Sequence, residues 1–236
     1  LQPDYQRAAY LEGNIFNQAS LAPIDNATIS IPGNNQEERS NSVGDYASGF
    51  ASGGDFNVTY FKVGYETQTI AVDLLQDNIT VQDVAMVPIE PFNINIEVKD
   101  NAGNPIQNAK IKLVHPLITY EGESNGLGQE ILPLFYEDIH DVYVGKWGFM
   151  TYCENVEIDA TTGSLTIVLQ EGYYDDFTFD FDWTVSGDAS TGMWERAIPN
   201  PTDNTVMDGD FDSDCGSFAY VTGNSDNEDA DFDDVD

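Results

Sequence analysis

Short runs of alternating apolar and polar residues dominate this chain, and helical periodicity is nearly absent. The runs are Ala27–Ile31, Phe56–Tyr60, Thr69–Asp73, Phe92–Val98, Ala109–Val114, Val142–Val144 and Ser164–Leu169. Period-two alternation carried by β-branched and aromatic residues predicts half-buried strands. Gly, Asn and Asp clusters such as Gly33-Asn34-Asn35, Ser52-Gly53-Gly54-Asp55 and Asn101-Ala102-Gly103-Asn104 separate the runs as turns. Many short strands at this spacing predict an all-β chain of sandwiches.

The runs repeat. Pro23-Ile-Asp-Asn-Ala-Thr-Ile-Ser-Ile31 lies against Pro105-Ile-Gln-Asn-Ala-Lys-Ile-Lys-Leu113 at an offset of 82. Asp55-Phe-Asn-Val-Thr59 followed by Lys62-Val-Gly-Tyr-Glu-Thr67 lies against Asp141-Val-Tyr-Val144 followed by Lys146-Trp-Gly-Phe-Met-Thr151 at an offset of about 84. Two blocks in one order at nearly constant offset indicate tandem duplication of a domain of about 80 residues. The expected organisation is an extension (1–9), a first sandwich (10–88), a linker (89–91), a second sandwich (92–170) and a third segment (171–236). Val87-Pro-Ile-Glu-Pro91 reads as a stiff linker. Gly64 and Gly148 sit where a turn with positive φ suits glycine, with Tyr65 and Phe149 expected to start the next strand and enter the core.

These blocks resemble the carboxypeptidase regulatory-like domain. The matching residues are Gly13, Pro23, Asn26, Ala27, Gly44, Tyr46, Phe56, Val58, Gly64 and Tyr65, then Pro105, Asn108, Ala109, Val142, Val144, Gly148 and Phe149. The resemblance covers about two thirds of the chain. It implies two tandem seven-stranded, transthyretin-like (Ig-like) β-sandwiches, usually non-catalytic. At the central hairpin the second repeat departs from the pattern, with Ser124-Asn-Gly-Leu-Gly128 in place of a plain G-x-Y.

Composition changes the picture in the third segment. The 236 residues hold 42 acidic and 8 basic side chains, a formal charge of −34. Residues 171–236 alone hold 19 acidic residues and one basic residue, Arg196, so more than half of the net charge falls on the last quarter. A polyanion of this kind is repelled by nucleic acid and anionic membranes. No run of about 18 apolar residues exists to cross a bilayer as a helix. With 41% hydrophobic and 12% aromatic residues, the chain is too apolar to be a disordered acidic polymer.

Asp176-Phe-Thr-Phe-Asp-Phe-Asp-Trp-Thr-Val185 alternates strongly. Together with Phe181, Trp183, Trp194, Arg196, Gly216 and Tyr220 it resembles the opening of a MAM-like jelly-roll domain. That resemblance implies a partial acidic β jelly roll, too short for eight strands, either part of a longer protein or completed by another chain. Asp208, Asp210, Asp212 and Asp214 alternate as Ca²⁺-loop ligands do, and Ca²⁺ takes about six to eight oxygens. Ser213 and Ala219 stand where an EF-hand needs Gly and Glu, so a looser loop is expected. A second cluster spans Asp226, Glu228, Asp229, Asp231, Asp233 and Asp234, with Asp229, Asp231 and Asp233 as its candidate ligands. The alternative is a solvated acidic surface.

No catalytic residues are assigned. His115 and His140, the two imidazoles, have no HxxE or HExxH neighbour for zinc and no GxSxG elbow exists; His115 is expected at a strand end, His140 in a loop before a strand, and both read as structural or exposed. Glu137 and Asp138 form one of many acid pairs, which without geometry carries no assignment. Cys153 and Cys215 fit neither a zinc knuckle nor a CxxC pair, and a single bridge and two separate thiols both remain open. Asn26, Asn57 and Asn78 match glycosylation sequons that an Asn/Thr-rich chain also produces by chance.

The expectation is therefore a secreted or cell-surface, Ca²⁺-stabilised spacer, adhesion or assembly piece. Its partners would be proteins, a cell surface or further copies of itself, not nucleic acid, and no membrane insertion is expected. Three other readings stand beside it. The chain could be the accessory region of a secreted zinc carboxypeptidase-like peptidase, a fibre protomer completed by a neighbour's strand, or a carbohydrate binder.

Overall fold

The computed structural model describes residues 8–33, 37–187, 192–200, 214–222 and 224. No helix occurs among them. The chain divides into two units, Leu1–Pro91 and Phe92–Asp236.

In the first unit the strands are β1 (Ala9–Asn17), β2 (Thr28–Ser30), β3 (Glu38–Arg39), β4 (Asp45–Phe50), β5 (Gly54–Phe61), β6 (Gln68–Leu74), β7 (Ile79–Val81) and β8 (Val84–Met86). One sheet runs β4-β1-β7, with β8 continuing the parallel pairing along β1; the facing sheet runs β3-β2-β5-β6. β7 and β8 are two halves of one edge strand. Between them Asp83 turns its carboxylate onto the Asn14 N–H (2.9 Å), and the Gln82 carbonyl accepts from the Tyr46 hydroxyl (2.7 Å). Having donated that proton, the Tyr46 hydroxyl accepts from Tyr60 at 2.9 Å. Burial, more than any neighbour, pushes the Tyr46 phenol far above its ordinary range.

The second unit opens with β9 (Phe92–Asp100), β10 (Lys110–His115), β11 (Ile118–Glu123), β12 (Gln129–Leu134), β13 (Asp138–Gly145), β14 (Tyr152–Ile158) and β15 (Ser164–Leu169). Their sheets, β12-β9-β15 and β11-β10-β13-β14, repeat the connectivity of the first unit strand for strand. The alternation in the sequence decides which residues face inward. Ile94, Ile96 and Val98 are buried on β9, Ile111, Leu113 and His115 on β10, and His140, Val142 and Val144 on β13. Leu11, Ile15, Ile29, Tyr60, Leu74 and Met86 fill the first core in the same way.

The duplication extends to single hydrogen bonds. Asn26 and Asn108 both take φ of 56°, the left-handed region that Asn tolerates better than most residues. Ser40 Oγ accepts from the Ala27 N–H (2.9 Å) and donates to the Ile24 carbonyl (2.7 Å). Ser124 Oγ does the same with Ala109 (2.9 Å) and Ile106 (2.7 Å). The next residues, Asn41 and Asn125, each cap a tight turn that ends at Gly44 or Gly128. The central hairpin is thus not where the repeats depart. Ser-Asn-x-apolar-Gly is one motif, present at 40–44 and at 124–128.

Gly64 (φ 82°) and Gly148 (φ 92°) occupy the third positions of the Lys62–Tyr65 and Lys146–Phe149 turns, where positive φ is required. Tyr65 and Phe149 pack against their cores as expected. Each forms an isolated bridge, to Pro88 and to Glu171, and the following strand starts three residues later. Ile89 N–H donates to the Gly64 carbonyl and Gly172 N–H to the Gly148 carbonyl, so each sandwich reaches into the residues read as linker or third segment.

Candidate functional site: the docked acidic segment

After Gly172 the chain crosses the second sandwich without forming the strand that the alternation of 176–185 predicts. Its aspartates explain the difference. Asp175, Asp176 and Asp180 each accept the backbone N–H two residues on, from Phe177, Thr178 and Asp182, at 2.9–3.0 Å. A short carboxylate that captures its own backbone competes with a sheet ladder. Phe177 and Asp182 accordingly sit at positive φ.

Hydrophobic anchors hold this irregular run down. Phe179 is 7% exposed and rests on Gly145, where a Cβ would come within 2.5 Å of its ring. Phe181 lies beside it. Trp147 joins Tyr173, Phe181 and Trp183 in edge-on contacts of 5.5–6.5 Å. Gly145→Val is therefore expected to lift Phe179 off the sheet. Overpacking of this kind costs about 1–3 kcal/mol. A shift in Trp fluorescence and faster proteolysis within 173–187 would report it, and an unchanged emission and cleavage pattern would count against the docking.

Arg196, the one base of the segment, is used internally. Its Nε and Nη2 donate to the carbonyls of Phe177 (2.7 Å) and Thr178 (2.8 Å), and its guanidinium lies 4.0 Å over the Phe218 ring. It is delivered by β16 (Trp194–Ala197), which pairs antiparallel with β17 (Ala219–Thr222) and sets Arg196 opposite Tyr220. Tyr220 donates to the Trp183 carbonyl at 3.1 Å. Thr178 Oγ1 donates to the Cys215 carbonyl beside Gly216, and Lys110 Nζ donates to the Asp180 carbonyl. Of the residues carrying the jelly-roll resemblance, Trp183, Arg196 and Tyr220 are thus brought together, while Trp194 points to solvent.

Cys153 and Cys215 form a disulfide, with Cα atoms 5.8 Å apart, tying edge strand β14 to the third segment just before β17. A cavity of about 650 Å³ remains between β10, β11 and the docked chain. Lys110 and Lys112 on its wall face Glu123 and Glu121 across the strands. Cation and anion are matched there, so the cavity offers no net field for a charged ligand.

Of the candidate metal ligands, Asp214 alone is described, and it accepts from the Tyr174 hydroxyl at 2.8 Å. Asp208, Asp210, Asp212, Asp229, Asp231 and Asp233 lie outside the described residues, as do Asp226, Glu228 and Asp234. Among the described residues no group of three or more His, Cys, Asp or Glu side chains is placed to hold a metal. The Glu137–Asp138 pair is turned onto backbone: Glu137 accepts from Ala160 N–H (3.0 Å) and Asp138 from Ile139 N–H (2.7 Å). Sequence reasoning missed the buried Ser40 and Ser124, whose signal was the shared Ser-Asn-x-apolar-Gly. It also missed that the two histidines meet.

No family model and no curated protein matches this chain. Solved structures do. A streptococcal ancillary pilin is 8% identical over 72% of this chain and 64% of its own, with a TM-score of 0.44. The shaft pilin SpaA of Lactobacillus rhamnosus GG is 9% identical over 72% of this chain and 99% of its own, at 0.35. The Bacillus anthracis TIE protein is 13% identical over 70% of this chain and 34% of its own, at 0.34. The chain thus spans about a third of the TIE protein structure and just under two thirds of the ancillary pilin.

Proposed function

We propose that this chain is a non-catalytic extracellular module: a spacer, adhesion or assembly piece whose acidic segment binds Ca²⁺. The observation that carries the reading is the Cys153–Cys215 disulfide. Bridges of this kind form and persist in oxidising, extracytoplasmic compartments. The disposition of the polar groups supports a structural role. Both histidines lie inside the second sandwich, and the acid pair most suggestive of hydrolysis is bonded to backbone. In this reading the two sandwiches are carboxypeptidase regulatory-like modules and the segment is MAM-like.

Ca²⁺ enters through charge. Nineteen carboxylates on the last 66 residues repel one another, and a divalent cation held by Asp208, Asp210, Asp212 and Asp214, or by Asp229, Asp231 and Asp233, relieves that repulsion. Melting the protein in CaCl₂ and in EGTA tests it. At a hundredfold excess over Kd, Ca²⁺ adds about 2.7 kcal/mol to the stability of the segment that binds it. A triple Asp→Asn variant at 208, 210 and 212 loses that gain if the first cluster is the site. Identical melts in Ca²⁺ and EGTA would remove the metal and leave the disulfide argument standing.

A further inference from the structure

The two histidines of the chain lie 25 residues apart in sequence, yet they share one end of the second sandwich. The β10–β13 register pairs Val114 with Asp141, and one step further sets His115 opposite His140 on the inner face. Their ring centroids are 5.3 Å apart. His115 is 7% exposed and stacks on Tyr136 at 4.9 Å; His140 is fully buried, 6.1 Å from the Tyr120 ring.

The hydrogen bonds place the proton of the His115 ring and one proton of the His140 ring. Leu117 N–H donates to His115 Nδ1 (3.2 Å), so that nitrogen is bare and the proton sits on Nε2, 3.8 Å from Asp138 Oδ2. His140 Nδ1 lies 2.9 Å from the Asp138 carbonyl and must donate to it. His140 Nε2 is buried and without a hydrogen-bond partner among the described residues, as is the Tyr136 hydroxyl. A proton added at His140 Nε2 would create a buried cation with no acceptor, 5.3 Å from a second imidazole.

The surroundings offer little relief. β10 contributes His115, β13 contributes Asp138 and His140, β11 contributes Tyr120, and the chain before β13 contributes Tyr136. On β14 the residue opposite His140 is Val156. Asp138, the carboxylate that lies beside His115 Nε2 among the described residues, has a 61% exposed side chain, so water screens its charge. The first repeat shows what this end of the sandwich looks like without imidazoles. Val58 corresponds to Val142, so Phe56 stands where His140 does, and it packs on Phe50 at 4.6 Å.

We propose that the His115–His140 pair is a proton-triggered latch, holding this end of the second sandwich closed at neutral pH and releasing it in mild acid. Burial, then His140, lowers the affinity of His115 for a proton, against a smaller opposing pull from Asp138. A base whose folded pKa is lowered contributes stability above its unfolded value, near 6.5, and loses it as the pH falls below that value. The acid-strengthened carboxylates do not titrate in this window. Asp100 bonded to Asn104, Asp159 to Thr161 and Glu97 to Lys99 all lie below the ordinary carboxylate range.

Trp147, Trp183 and Trp194 all lie in the second unit, so Trp fluorescence of the intact protein reports that unit. Melts in EGTA at pH 7.5 and 5.5 should differ by about 5 °C or more in the wild type. His140→Phe, which restores the residue of the first repeat, should shrink that difference to the part that burial of His115 supplies. A pH-independent wild-type melt, or a variant that keeps the wild-type difference, would overturn the latch. Should His140→Phe fail to fold, NMR of the wild-type imidazole C2 protons decides. Rings that stay neutral at pH 6 in the folded protein support the latch, and rings that titrate near 6.5 without loss of fold overturn it.

Discussion

Replacing Cys153 and Cys215 together by Ser is expected to destabilise the second unit by about 4 kcal/mol. The bridge closes a loop of 62 residues, and the chain-entropy relation for that length gives about 4 kcal/mol. The loss should be local in character. Without the bridge the docked segment keeps Phe179 on Gly145, Lys110 on the Asp180 carbonyl and the Arg196 bonds within itself. Urea unfolding followed by Trp fluorescence should therefore show a lower midpoint, with cleavage sites appearing first between 173 and 200. A double variant within about 1 kcal/mol of the wild type would mean that the bridge constrains little of the unfolded chain.

The second large effect concerns the buried serines. Ser124→Ala removes both the acceptor of the Ala109 N–H and the donor to the Ile106 carbonyl, leaving two buried backbone groups short of a partner. An unsatisfied buried group costs about 1–3 kcal/mol, so a loss of about 2–3 kcal/mol is expected. Ser40→Ala should cost the first unit the same amount, because its two bonds have the same lengths. Chemical denaturation of the two variants checks this, with Trp emission for the second unit and amide hydrogen exchange of first-unit peptides for the first. Costs that differ by more than about 1 kcal/mol would show that the shared geometry is not shared energetics.

Strand positions and inward faces were legible because alternation reports burial directly, as at Ile94, Ile96 and Val98 or Ile111 and Leu113. The runs 109–114 and 142–144 stop short of His115 and His140, so His140 read as a loop residue although it lies buried within β13, and the meeting of the two rings needed the register between β10 and β13. Asn26 and Asn108 were legible as repeated residues, while the reason for Asn, a left-handed φ, appears only in the backbone. The run 176–185 misled because Asp at alternate positions reads as the solvent face of a strand. Those side chains are short enough to bind their own backbone instead. The sequence left a Cys153–Cys215 bridge and two separate thiols both open, because the bridge rests on a docking that depends on Phe179 and Gly145, far from either cysteine in sequence.

The docked, covalently stapled segment is central to the role proposed for the chain, and peptide mapping without reduction tests it most directly. Digestion of the protein under alkylating conditions should release one linked pair of peptides, carrying Cys153 and Cys215, that separates on reduction. Recovery of both cysteines as alkylated free thiols from the folded, oxidised protein would contradict the staple, and with it the proposed extracytoplasmic role.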